Sequence, residues 1–244
     1  MTSSNSSPLR AEESLCQCGG MTARQLARLA GAPVAIALAI SAAPWGVPTS
    51  SAAPCSDVEV VFARGTFAPQ GLGGIGQDFV DAVRAKVGGK SVGVYAVVYP
   101  ASTDFPTAVD GIRDAAAHIE NTVANCPNTK VVLAGYSQGA AVIGFTTANA
   151  VPGGVDPSEV PKPMPADVAS HVAAVVLLGK PDTEFMDMIS QPPVTVGPLY
   201  ASKSIELCAP GDPICSNGDD GAAHTSYTKI GLTDQAAAFA ASKV

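Results

Sequence analysis

The stretch that most constrains this chain lies between residues 130 and 143. A short apolar run, Val131-Val132-Leu133-Ala134, stops at Gly135-Tyr136-Ser137-Gln138-Gly139, and small, helix-compatible residues follow. A bare Gly-x-Ser-x-Gly arises readily by chance in a chain with 24 glycines. The context is more specific. A strand, a sharp turn and a helix in that order form a nucleophile elbow, which lifts the serine oxygen clear of the carboxyl end of its strand. Glycines at 135 and 139 fit, because a Cβ at either position of so tight a turn would strike backbone. The turn also aims the first N–H groups of the following helix beside Ser137 Oγ.

A serine hydroxyl is a weak nucleophile at neutral pH and needs a base, itself oriented by an acid. The chain has three histidines. His118 falls mid-helix and precedes the serine. His171 falls at the amino end of a strand, whereas these sheets bind ligands at their carboxyl ends. His224 follows the last strand, and the order Ser, Asp, His selects it as the base. Asp212 stands 12 residues before His224, bracketed by Cys208 and Cys215. A loop closed by a disulfide would fix its carboxylate. Asp182, just past the fourth strand, is the alternative acid. An oxyanion hole needs at least two donors. The N–H of Gln138 supplies one, and Thr66, in the Arg64-Gly65-Thr66 turn after the first strand, supplies an N–H and a hydroxyl.

The elements alternate. Strands are expected at 57–63, 92–99, 130–134, 172–178 and 204–207. Helices are expected at 75–87, 107–124, from 138 to about 150, and from about 225 to 242. The strands are apolar runs, which argues for a parallel sheet covered on both faces in a single three-layer α/β/α domain. Residues 151–167 read as a Pro-rich surface loop and residues 181–199 as irregular. Gly71-x-Gly73-x-x-Gly76 matches a dinucleotide-binding pattern. However, it begins about seven residues beyond its strand, and the second strand carries no terminal acid, so no nucleotide cofactor is expected.

A net charge of −7 argues against a nucleic-acid partner. Residues 1–53 read as a leader, with a signal peptide over about 21–53: Arg24 and Arg28, an apolar run over 29–40, and a small-residue cleavage site at 51–53. Residues 1–20 do not resemble a signal peptide, and translation is expected to start at Met21. A retained membrane anchor is the alternative, weakened by Pro33, Pro44 and Pro48 within the span. Export leaves Cys55, Cys126, Cys208 and Cys215, an even number suited to an oxidising compartment. Three pairings exist. The simplest joins Cys208 to Cys215 and Cys55 to Cys126.

Thr66 in its turn, the Gly-Tyr-Ser-Gln-Gly elbow, Asp212 between two cysteines, and His224 before the last helix, together with Cys55 and Cys126, resemble the cutinases. They are most similar to mycobacterial cutinase-like serine esterases, over nearly all of residues 54–244. The resemblance implies a small α/β hydrolase with a five-stranded parallel sheet, two disulfides and no metal or other cofactor. It implies Ser137, His224 and Asp212 as triad, and Thr66 and Gln138 as oxyanion donors. It further implies a secreted monomer, extracellular or on the cell wall, acting on ester or lipid substrates and touching lipid or cell-wall surfaces transiently. The apolar residues of 181–199 are candidates for the rim of the site. A phospholipase or thioesterase with the same triad is the nearest rival reading. A non-catalytic secreted antigen or binding protein is the remoter one, since every catalytic position is filled.

Overall fold

The computed structural model describes residues 55–244; the leader and the Met21 start lie outside the described residues. Five strands form one parallel sheet in the order β2-β1-β3-β4-β5. They are β1 (Val58–Ala63), β2 (Val92–Ala96), β3 (Lys130–Tyr136), β4 (Val172–Leu178) and β5 (Ser204–Leu207). The longer helices are α1 (Gly73–Lys86), α2 (Ala108–Asn125), α3 (Gln138–Thr146) and α7 (Leu232–Ala241). Three short ones, α4 (Val168–His171), α5 (Thr183–Met188) and α6 (Pro198–Ala201), punctuate the loops. Among the described residues no helix is long and apolar enough to cross a membrane.

The apolar strands follow from coverage on both faces. Successive side chains of a strand point to opposite faces. Thus Val58, Val60 and Phe62 of β1 pack against Phe79, Val80 and Val83 of α1 and Ala236, Ala237 and Ala240 of α7. Val61 and Ala63 turn the other way, into a core with Ala115 and Ile119 of α2 and Val142 and Ile143 of α3. The sheet order reverses at β1, because β2 lies on one side of it and β3 on the other. The crevice at the carboxyl ends of β1 and β3 is therefore the topological switch point, where ligands bind in open α/β sheets. Thr66 follows β1 and Ser137 follows β3.

Several element ends differ from the sequence expectation, each for a local reason. β2 stops at Ala96 rather than 99, where the Val97 and Tyr99 carbonyls turn to accept from the Arg64 guanidinium. α3 ends at Thr146 rather than near 150. There the Thr146 and Thr147 hydroxyls donate back to carbonyls of the preceding turn, competing with propagation. The final helix starts at Leu232 rather than 225, because Gly231 adopts a left-handed φ of 81° and separates it from a 3-10 turn at Ala223–Thr225. Within 181–199, α5 forms where the Asp182 carboxylate caps the Phe185 N–H at 2.8 Å. The glycines at 71–76 lead into and begin α1, eight residues or more beyond the end of β1.

Candidate active site

Ser137 occupies the turn between β3 and α3 with φ 55° and ψ −122°, a region costly for a residue with a Cβ. Three backbones hold it there. A Cβ on Gly135 would lie 2.2 Å from the Gly139 carbonyl oxygen, and one on Gly139 would lie 2.0 Å from that of Ala63. The Ser137 N–H donates to Leu178 O at the end of β4, 2.8 Å away. The serine oxygen therefore stands where β1, β3, β4 and α3 converge.

His224 Nε2 lies 2.8 Å from Ser137 Oγ, and its Nδ1 lies 2.8 Å from Asp212 Oδ2. An ionised carboxylate only accepts, so Nδ1 carries the proton and Nε2 keeps its lone pair toward the serine. Asp212 is fully buried. Its Oδ1 accepts from the Ile214 N–H at 2.9 Å, and its Oδ2 accepts a second bond from the Tyr227 hydroxyl at 2.7 Å. The Cys208–Cys215 disulfide closes the loop that carries Asp212, and Cys55–Cys126 ties the segment leading into β1 to the end of α2. Burial, with the Asp212 charge beside them, pushes the Tyr136 and Tyr227 hydroxyls well above the ordinary tyrosine range, so both remain donors. Tyr136 stacks on the imidazole at 5.0 Å and donates its hydroxyl to the His224 carbonyl.

Gln138 opens α3, so its N–H falls in the first turn, where the helix offers no acceptor. Its side chain donates to Ser102 O at 2.9 Å. Thr66 sits in a turn closed by the Ala68 N–H to Gly65 O at 3.2 Å, followed by Phe67 at φ 61°. The Phe67 N–H donates to Ala101 O at 2.8 Å. Both candidate oxyanion residues line the same cavity as Ser137 and His224.

Three further residues support the candidate site through bonds that the sequence does not mark. Tyr227 reaches Asp212 across 15 residues of chain. Arg64, just before Thr66, buries its guanidinium and, among the described residues, donates only to backbone carbonyls: Ala68 at 3.0 Å, Tyr99 at 2.7 Å, and Val97 and Pro100 at 3.4 Å. Tyr99 answers with its hydroxyl on the Arg64 carbonyl and its ring beneath the cation. Together the pair braces the turn that carries Thr66. Their only trace in the sequence is adjacency to the Gly-Thr turn and to the end of β2.

The remaining candidates lie elsewhere. His118 lies 2.8 Å from Glu59 and stacks on Tyr95, while His171 ends α4 before β4. Asp182, the alternative acid, caps α5. Of the apolar residues in 181–199, Phe185, Met186 and Ile189 line the cavity, whereas Met188 and Leu199 are exposed away from it. Cys208, Asp212 and Cys215 offer three ligand atoms within 4.8 Å of one another. Both sulfurs are consumed by their disulfide, and metal binding requires a thiolate.

A parallel sheet in this order, with a serine at the turn after β3 facing an Asp-paired imidazole, defines an α/β-hydrolase fold. The chain belongs to the cutinase family, whose description matches residues 54–244. It is 58% identical over 168 residues to the probable carboxylesterase Culp5 of Mycobacterium tuberculosis, covering 69% of this chain and 96% of that protein. It is 51% identical over 229 residues to carboxylesterase Culp1 of the same organism, covering 92% and 98%. Among solved structures it resembles Trichoderma reesei cutinase in complex with a C11Y4 phosphonate inhibitor. That match has a TM-score of 0.58 and 35% identity over 77% of this chain and 76% of the other.

Proposed function

We propose that the protein is a secreted serine esterase that hydrolyses carboxylic esters of hydrophobic acyl chains. The observation that carries this reading is the pair of 2.8 Å contacts linking Ser137, His224 and Asp212 at the edge of an apolar cavity. Membership of a family that includes carboxylesterases agrees with it. The two disulfides are in keeping with an oxidising compartment.

The reaction runs in two steps. His224 Nε2 takes the Ser137 proton as Oγ attacks the ester carbonyl, and the Gln138 N–H and Thr66 donors hold the oxyanion. The imidazolium gives its proton to the departing alcohol, leaving an acyl group on Ser137. Water, deprotonated by His224, then attacks the acyl carbonyl and releases the acid. Asp212 holds the ring in one tautomer and stabilises its charged form. Ser137→Ala is expected to abolish hydrolysis of p-nitrophenyl butyrate and labelling by a fluorophosphonate, with an unchanged circular dichroism spectrum. Retained hydrolysis or labelling in that variant overturns the assignment.

A further inference from the structure

The cavity beside Ser137 is larger than the chemistry at the serine requires. Its volume is about 630 Å³, and it extends from the triad along α2 and α3 to the Pro-rich segment 151–163. The α2 wall includes Val109, Ile112 and Ala116, which recur at helical spacing and so share one face. Opposite them stand Val151, Val155 and Val160, each half-buried. Among the described lining residues only Glu159 and Lys162 carry a formal charge, and both are exposed.

The roof is suited to an apolar content. Pro152, Pro157, Pro161 and Pro163 supply no N–H groups, so this stretch covers apolar space while leaving few backbone donors to satisfy. It is held in place from outside. Arg113 of α2 donates to the Glu159 carbonyl at 3.3 Å, and the Asp156 carboxylate accepts from both the N–H and the hydroxyl of Ser158 at 2.8 Å.

We infer that this cavity is an acyl chamber, in which one unbranched chain lies between α2 and the 151–163 segment with its carbonyl at Ser137. The inference rests on the esterase reading above. The direction follows from the proton route. The leaving alcohol receives its proton from His224, so it departs on the side of His224, Thr225 and Ile214. The arm of the cavity toward α2 is left for the acyl group. At roughly 30 Å³ per methylene, about the share of a water molecule, a chain of about 12–16 carbons fits with room to turn. Each buried methylene contributes roughly 0.8 kcal/mol, about a fourfold gain in kcat/KM while the chamber fills.

The test is a p-nitrophenyl ester series from acetate to palmitate, run on the full protein and three variants. The wild type is expected to gain in kcat/KM through about laurate. Ile112→Trp and Val155→Trp fill the chamber from opposite walls. Each is expected to cut the laurate-to-acetate ratio by about 30-fold or more, and Val155 lies on a surface segment whose enlargement leaves the core intact. Met188→Ser, exposed on α5 away from the cavity, should leave the ratio within twofold of wild type. A wild type that favours acetate, or tryptophan variants with an unchanged ratio, overturns the chamber while leaving the esterase reading standing. Absence of hydrolysis of every ester in the series overturns both.

Discussion

Replacing Tyr227 with Phe removes a single oxygen from a buried junction. That hydroxyl donates to Asp212 Oδ2 at 2.7 Å and accepts from the Ala209 N–H at 3.2 Å, and Tyr227 is fully buried. The change deletes a bond to a charged acceptor, about 1.5–3 kcal/mol, and strands a buried N–H, about 1–3 kcal/mol more. The ring remains, with its edge contacts to Tyr136 at 5.5 Å and His224 at 6.3 Å, so no cavity opens. A loss of about 3–5 kcal/mol in a domain of this size lowers Tm by about 6–20 °C. Catalysis should suffer less. Asp212 keeps the Ile214 N–H on one oxygen and His224 on the other, so it still aims the imidazole. One charged-acceptor bond corresponds to a fall in kcat of about 10- to 150-fold, against about 10⁴-fold for Asp212→Asn, which forces the wrong tautomer. Thermal melts and steady-state kinetics on p-nitrophenyl butyrate at 25 °C read both quantities. A Tm within 2 °C of wild type, or a kcat loss as deep as that of Asp212→Asn, refutes this division of labour between Tyr227 and Asp212.

Arg64→Lys puts a compact ammonium where a planar fork now reaches several carbonyls at once. It should lower kcat by about 10²-fold with KM little changed, through a displaced Thr66 turn; a raised KM with intact kcat would contradict that role. Burial disfavours the Glu59 carboxylate, but bonds from His118 and Thr122 and the charge of His118 outweigh it and hold its pKa below the ordinary 4.5. A depressed folded-state pKa gives stability that is present above the unfolded value and lost as pH falls through the folded one. The wild type should therefore lose Tm more steeply than Glu59→Gln below about pH 4.5, and parallel acid limbs would sink the assignment. Removing both Cys208 and Cys215 by alanine should cost about 2.5 kcal/mol and a large part of kcat, because Asp212 rides in that loop. Removing Cys55 and Cys126 should cost about 4 kcal/mol with kcat at 25 °C intact. Equal kcat values for the two double variants would show that the short bridge does not position the acid.

The three proposed catalytic residues were named from constraints that are local or ordered along the chain, and the fold brings their side chains within hydrogen-bond distance of one another. Ser137 sits in a strand-turn-helix signature, Asp212 between two cysteines, and His224 after the last strand. The three-layer architecture was legible because alternating elements with apolar strands leave few arrangements. Tyr227 and the bracing role of Arg64 were not, since hydrogen bonds made mostly to atoms distant along the chain leave no periodic mark. The cavity roof was hidden for a related reason. Val151, Val155 and Val160 are isolated among prolines, glycines and charges, and isolated valines read as surface until α2 is seen across from them. The helix ends were missed where Thr147 and Gly231 override apolar periodicity that would otherwise carry on.

The contact of Gly139 with Ala63 bears on how such a protein can be altered. Where two main chains touch with no room for a methyl group, the height of Ser137 above the sheet is set by covalent dimensions rather than by side-chain fit. Repacking the layers around Phe62 or Ile119 changes how firmly the domain holds together, while the serine keeps its seat for as long as the chain stays folded. Thermal hardening through the core and, on the proposed acyl chamber, retailoring of chain-length preference through the 151–163 segment are therefore separable engineering tasks. Changes made for one can be combined with changes made for the other, without the search for compensating substitutions that a side-chain-built nucleophile site would demand.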